Sequence, residues 1–227
     1  MCGFIGFSGN LDNKEVILQK MMDRIVHRGP DMGGMYTDDG IALGFRRLSI
    51  LDLSDAGAQP MANEDKSVVV VFNGEIYNFM ELRRELEAKG HTFHCGADTE
   101  VLIHGYEEYG TELIYRLRGM FAFVLWDAKN KRMFGARDIF GIKPFYYYPV
   151  PDGSGLVFGS EIKAFLEHPK FVKAVNENAL RPYLTLQYSA TEETFFKGVY
   201  KLPAAHYFVC SRCFLGFLCR VGFFCRF

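Results

Sequence analysis

The sequence predicts an α+β sandwich, and three features of the 227-residue chain carry that expectation. Its middle is a series of short aromatic and β-branched runs, which suit pleated, half-buried surfaces. One run, Val68-Val69-Val70-Val71-Phe72, is continuously apolar rather than alternating, so a strand there buries both faces and needs a layer on each side. Helical segments flank the strands in pairs instead of alternating with them, which favours stacked layers over a βαβ sheet.

The elements follow in order. Residues 3–7 read as a short apolar strand. Residues 14–25 read as a helix with Val16, Ile17, Met21 and Ile25 roughly on one face, ending before Gly29-Pro30. Residues 40–45 and 68–72 are strands. Residues 78–89 are the clearest helix: Asn78 and Glu81 have capping-box spacing, Phe79, Leu82 and Leu86 share a face, and Gly90 is the stop. Residues 98–109 form another helix, stopped by Gly110. Strands are expected at 119–127, 132–137, 144–148 and 156–159, and helical turns at 161–167 and 177–186. No internal repeat is present.

Composition narrows the function classes. Apolar residues make up 49% and charged residues 23%, close to the globular average. With 26 basic and 27 acidic residues the net charge is -1, and no basic stripe tracks a phosphate backbone, so no nucleic-acid partner is expected. No uncharged apolar run reaches the roughly 18 residues of a membrane-spanning helix, so no membrane partner is expected. The opening Met1-Cys2-Gly3-Phe4-Ile5-Gly6 has neither a basic region nor a long apolar one, which argues against a secretory signal and for a cytoplasmic protein. The six cysteines then read as free thiols.

Those cysteines are unevenly placed. Cys2 and Cys95 precede residue 209, and Cys210, Cys213, Cys219 and Cys225 crowd the last 18 positions. The last 20 residues hold six Phe, four Cys and three Arg, with no Asp, Glu, Asn, Gln, Pro or Tyr. Neither strand nor helix periodicity is sustained there. Cys210-x-x-Cys213 lacks a second ligand pair, so no metal site is expected. The chain divides into a domain over 2–208 and a Cys/Phe-rich tail over 209–227 that reads as non-native.

The candidate chemistry begins at Cys2. Removal of Met1 leaves a thiol and a free α-amine on one residue, and an amine with a reference pKa of about 8 can serve as its base. His27-Arg28-Gly29-Pro30-Asp31 places charged groups around a forced turn. Arg47, at a strand end, offers a fork for a carboxylate. Asn73-Gly74-Glu75 follows the buried valine run: Asn73 offers an amide donor, Gly74 lets its N–H approach a substrate, and together they suit an oxyanion hole. Glu75 and Asp98 can accept from an ammonium. Each has a bland counterpart: Asp98 as a helix cap, Asn73-Gly74 as a turn, Arg47 as a surface ion pair, Glu75 as a solvated charge. Taken jointly after Cys2, they fit an α-amino acid with a side-chain amide.

Cys2-Gly3-Phe4-Ile5-Gly6, His27-Arg28-Gly29-Pro30-Asp31, Arg47-Leu48-Ser49-Ile50, Phe72-Asn73-Gly74-Glu75-Ile76-Tyr77-Asn78 and Asp98-Thr99-Glu100 resemble the glutaminase domain of glutamine-hydrolysing asparagine synthetase. So do Arg118-Gly119-Met120-Phe121-Ala122-Phe123, Arg137-Asp138 through Gly141-Ile142-Lys143-Pro144, and Gly159-Ser160-Glu161-Ile162-Lys163. The resemblance runs in order from Cys2 to about Phe208. It implies an N-terminal-nucleophile hydrolase fold, an αββα four-layer sandwich. It implies that Cys2 attacks the side-chain amide of L-glutamine, releasing glutamate and ammonia, while Asn73 and Gly74 hold the oxyanion. Arg47 would bind the substrate carboxylate, Glu75 and Asp98 its amine, and the backbone of Leu48, Ser49, Ile50 and Leu51 would line the pocket.

The family continues into an ATP-dependent synthetase domain with an SGGxDS loop. This chain has only Gly153-Ser154-Gly155 in a Pro-Asp-Gly loop, with no helix behind it to form a phosphate cradle. ATP and Mg would belong to that missing domain, so no cofactor is expected here. The expected partners are L-glutamine and a synthetase domain or subunit that receives ammonia. The alternatives are an amidotransferase of a related pathway with another acceptor, or a non-catalytic truncated fragment.

Overall fold

A computed structural model describes residues 2–48, 57–189, 191–213 and 216–223; for residues 212–223 only the strand course is considered. Two six-stranded antiparallel sheets form the centre. Among the described residues, the first sheet contains β1 (Gly3–Ser8), β2 (Met32–Thr37), β3 (Ile41–Arg47), β8 (Tyr146–Pro149), β9 (Leu156–Gly159) and β10 (Tyr200–Lys201), in the order β10-β8-β9-β1-β3-β2. The second contains β4 (Met61–Ala62), β5 (Val68–Ile76), β6 (Gly119–Asp127), β7 (Arg132–Arg137), β11 (His206–Cys213) and β12 (Gly216–Phe223), in the order β12-β11-β7-β6-β5-β4.

Strand β5 shows why the sheets stack. Its side chains alternate between two cores, as a period of two requires. Val68, Val70, Phe72 and Ile76 pack into one cluster with Leu82 and Leu86 of α2 (Phe79–Ala88) and Val101 and Leu102 of α3 (Glu100–Tyr109). Val69 and Val71 pack into another with Phe4, Leu43, Phe45 and Trp126, between the sheets. On the far face of the first sheet, Ile5, Phe7 and Ala42 meet Leu18, Met21 and Met22 of α1 (Lys14–Asp23). Three cores separate four layers in the order helix, sheet, sheet, helix. The continuous valine run therefore has the double burial expected of it.

Several elements differ from the sequence reading, each for a local reason. Strand β5 continues to Ile76, so Asn73, Gly74 and Glu75 lie inside a paired strand and not in a turn beyond it. Asn78 does not cap α2 with its side chain. Its amide instead bridges to the chain before β6, donating to the Arg116 carbonyl at 2.9 Å and accepting from Arg118 N at 2.9 Å. Residues Ile162–Glu167 form a 3-10 turn, and α4 occupies Glu177–Leu186. Strand β2 escaped notice because Met32-Gly33-Gly34 carries little β signal. Gly34 is required where it stands: a Cβ there would lie 2.1 Å from the Gln59 carbonyl oxygen.

Strand β11 runs across position 209 without a break, pairing with β7 from Tyr207 opposite Ala136 to Ser211 opposite Arg132. Phe208 and Cys210 are buried in the inter-sheet core. Cys210 is disulfide-bonded, which corrects the reading of all six cysteines as free thiols; Cys2 and Cys95 are free. No helix among the described residues is long and apolar enough to cross a membrane.

Candidate active site

Cys2 precedes β1, whose Gly3 pairs with Arg46 near the end of β3. That register carries the thiol to the residue following β3. Leu48 N donates to Cys2 Sγ at 3.4 Å, and the thiol in turn donates to the Leu48 carbonyl at 3.7 Å. The thiol is half-buried against the inter-sheet core.

Arg28 holds the same residue from the other side. Its Nε donates to the Cys2 carbonyl oxygen at 3.0 Å, and its Nη1 donates to Glu161 Oε1 at 3.1 Å. Glu161 also receives His27 Nε2 at 2.8 Å and Lys163 Nζ at 3.3 Å. Burial opposes ionisation of Glu161, but hydrogen bonds from these three side chains hold its carboxyl below the ordinary value. Two glycines make room for this arrangement. A Cβ on Gly3 would sit 2.8 Å from Arg28 Cδ, and one on Gly29 would sit 2.3 Å from the Arg46 carbonyl carbon. The His-Arg-Gly-Pro motif is thus a device for bringing Arg28 over Gly3. The sequence reading noted Arg28 only as part of a charged loop and assigned no contact to Glu161. Their motifs were visible, but the pairing, across 133 residues of chain, was not.

Asn73 occupies the inter-sheet face of β5 by its alternation with Val69 and Val71. It is only 2% exposed, and its Nδ2 has no hydrogen-bond partner among the described residues. A buried, unsatisfied amide donor costs about 1–3 kcal/mol, so a native site that keeps one is prepared for an acceptor. Gly74 lies opposite Phe121. Phe121 N donates to Asp138 Oδ2 and its carbonyl accepts from Asp138 N, both on the β7 side. Gly74 and Phe121 therefore form a non-hydrogen-bonded pair, and the Gly74 N–H points to the other edge of β5. On that edge Phe72 N donates to Gln59 Oε1 at 2.6 Å and Ile76 N donates to Asp98 Oδ2 at 2.8 Å, bracketing Gly74. Strand pairing by itself requires a glycine at this position. A Cβ at Gly74 would lie 2.3 Å from the Met120 carbonyl oxygen, so the close approach is to β6.

Asp98 does not cap α3, whose N-cap position is Thr99. Its carboxyl instead meets the end of β5. Burial pushes its pKa up to about 6, and the neighbouring charge of Glu75 adds to the rise. Glu75 is exposed and shares the Asn73 face of the strand. Arg47 is a buried side chain whose guanidinium approaches Gly57, where a Cβ would lie 2.9 Å from Nη2. Its neighbour Arg46 turns the other way, donating to Asp23 Oδ1 and the Met22 carbonyl. Of the expected pocket backbone, Leu48 is in place beside Cys2; Ser49, Ile50 and Leu51 lie outside the described residues.

Cys95 is the other free thiol with a described environment. Burial and the Glu100 carboxylate push its pKa up to about 11, leaving it unreactive at neutral pH.

Comparison with known proteins agrees with this geometry. The chain matches a family model described as a glutamine amidotransferase domain over residues 1–214. It is 42% identical over 214 residues to asparagine synthetase (glutamine-hydrolyzing) 1 of Bacillus subtilis, covering 92% of this chain and 33% of that protein. It is 45% identical over 167 residues to asparagine synthetase (glutamine-hydrolyzing) 2 of Arabidopsis thaliana, covering 72% of this chain and 28% of that protein. The chain thus spans about a third of the length of these relatives. Among solved structures, glutamine phosphoribosylpyrophosphate amidotransferase from B. subtilis superposes with a TM-score of 0.71 at 18% identity, covering 99% of this chain and 49% of that one. That likeness concerns the fold alone, an α+β sandwich. On a family match spanning nearly all of its length, the chain belongs to the glutamine amidotransferase domain family.

Proposed function

We propose that this chain hydrolyses the side-chain amide of L-glutamine, with Cys2 as nucleophile. The observation that carries the reading is the buried, unpartnered Asn73 Nδ2 on the face of β5 that looks toward the sheet led by Cys2. Once Met1 is removed, the α-amine of Cys2 takes the thiol proton, and the thiolate attacks the amide carbon. Asn73 Nδ2 and the Gly74 N–H donate to the developing oxyanion. Collapse of the tetrahedral intermediate expels ammonia, which leaves with the proton held by the amine, and forms a γ-glutamyl thioester. Water then adds to the thioester carbonyl over the same two donors, giving glutamate and the free thiol. Arg47 receives the α-carboxylate, and Asp98 with Glu75 receives the α-ammonium. The Leu48 N–H contact orients Sγ, and the pocket lining continues through Ser49, Ile50 and Leu51. This chemistry calls for no cofactor in the chain; ATP and Mg serve a synthetase region.

The ammonia goes to such a region, as the names of the relatives indicate for those proteins. The segment after β7 is suited to meet it, because Ile139, Phe140 and Ile142 are exposed apolar side chains, Phe140 to 82%. Charged clamps hold that segment rigid: Asp138 accepts from the backbone N of Phe140, Ile142 and Lys143, and Arg137 donates to the Gly141, Lys143 and Leu202 carbonyls.

The test is glutamine-dependent ammonia release by the expressed chain, with intact mass measured after exposure to the diazo-ketone analogue of glutamine. Loss of one Met, a single adduct on Cys2 and no turnover in Cys2→Ala are the expected results. Unchanged turnover in Cys2→Ala, or adducts scattered over other cysteines, overturns the proposal.

A further inference from the structure

His91 follows α2, while His104 and Glu107 lie one turn apart on α3, on the helical layer that covers the outer face of β5. We propose that these three side chains bind one divalent transition-metal cation of the zinc type, which staples the chain after α2 to α3. One ligand atom from each lies within 4.8 Å of the others. A single ion with bonds of about 2.0–2.2 Å can draw such a set together by small rotations of the side chains.

Glu107 Oε2 is the pivot. It stands 2.8 Å from His104 Nδ1 and 3.6 Å from His91 Nδ1. Its sister oxygen accepts from Asn63 Nδ2 at 2.7 Å, which turns Oε2 toward the two imidazoles. The far nitrogen of each imidazole faces a different carboxylate. His91 Nε2 is 3.4 Å from Glu108 Oε2, and His104 Nε2 is 3.8 Å from Glu100 Oε1. Metal-bound histidines almost always carry such an outer partner, which fixes the tautomer and raises ligand basicity. Glu100 is itself anchored, accepting from His94 N at 2.8 Å and Cys95 N at 3.0 Å. The Phe93 ring packs edge-on against His104 at 4.7 Å and closes one side.

The donor set selects the ion. Two imidazoles and one carboxylate suit Zn, Ni or Co, whereas Mg and Ca prefer all-oxygen shells. His104 is buried, His91 half-buried and Glu107 exposed, so the remaining coordination position opens to water. The outer carboxylates add negative charge that compensates the cation.

The test uses the full chain, stripped with chelator and titrated with Co2+ at mildly alkaline pH. Visible ligand-field bands that saturate at one equivalent are expected, without the near-ultraviolet absorption of a cobalt–sulfur bond. Zn2+ displaces the bands and raises the melting temperature. His91→Ala and Glu107→Gln, both at solvent-accessible positions, weaken Co2+ binding at least about tenfold and leave glutamine hydrolysis unchanged. Absence of saturable binding by the folded protein overturns the proposal, since the cluster is then an ion-pair network of protonated imidazoles and carboxylates. Bands that survive both variants, or that carry sulfur charge-transfer absorption, place the ion elsewhere and overturn it equally.

Discussion

Arg28 crosses over Gly3 to donate from Nε to the carbonyl oxygen of Cys2 at 3.0 Å, while its Nη1 is held by Glu161. The guanidinium touches the backbone of the proposed nucleophile and not its sulfur, so under that reading it is a positioning residue. Arg28→Met should lower kcat by about 100-fold, the scale of a misplacement of about 1 Å, with KM little changed. Steady-state kinetics checks this. Glu161→Gln should reproduce part of the loss, and Arg28→Lys, which keeps charge but loses the fork, should rescue little. Equal loss in KM and kcat would instead mark Arg28 as a substrate ligand.

Asn73→Ala removes one of the two proposed oxyanion donors. A loss of about 10²- to 10³-fold in kcat is expected, with KM within a few-fold of the parent. The melting temperature should hold or rise slightly, because the substitution removes a buried amide donor that has no partner in the resting protein. A drop in stability with unchanged kcat would show that the amide serves the fold.

In the proposed role of ammonium acceptor, Asp98 would set the acid limit of substrate binding. Its pKa of about 6 means that the carboxyl takes up a proton as pH falls through that value, losing its attraction for an ammonium. KM for glutamine should therefore rise below about pH 6 while kcat changes less. Glu75→Gln removes the neighbouring charge and should move this limb to lower pH. Asp98→Asn should give a high, pH-independent KM. Initial-rate profiles over about pH 5 to 8 distinguish the three enzymes.

His168 makes the opposite contribution to stability. Its ring is 3% exposed, packs edge-on to Phe7, and burial depresses its pKa from the ordinary 6.5 to about 4. Between those values the unfolded chain takes up the proton and the native chain does not, so stability falls as pH drops from 6.5 toward 4, by up to about 3 kcal/mol. Asp98 acts in the reverse sense: its raised pKa costs stability as pH rises from 3.8 through 6. Denaturant titrations across this range should show His168→Phe losing the acid decline and Asp98→Asn deepening it.

Much of the architecture was legible because the strands carry their burial in their composition. Val68 to Phe72 announced layers on both sides, and Gly90 and Gly110 stopped their helices with φ of 98° and 57°. Cys2, Arg47, Asn73 and Asp98 could be singled out because their side chains have few structural uses in such company. What escaped depends on contacts distant in sequence. Nothing near Asn78 shows that its amide will bridge to Arg116 and Arg118 rather than cap α2. Nothing beside Gly74 in the sequence shows that a side chain there would collide with the Met120 carbonyl. The cluster of His91, His104 and Glu107 forms only when α2 and α3 dock, and the Cys210 disulfide lies in a stretch whose periodicity is too weak to suggest a strand.

The two faces of β5 have a consequence for how the enzyme fails. Asn73 belongs to the same strand, and the same hydrogen-bonded ladder with β6, as the valines that anchor both cores. The helical layer cannot peel away without loosening the strand that carries the proposed oxyanion donor. Inactivation on heating should then coincide with global melting, leaving no dormant, partly folded form from which activity recovers quickly. For this chain, resistance to heat and persistence of turnover are one property measured twice.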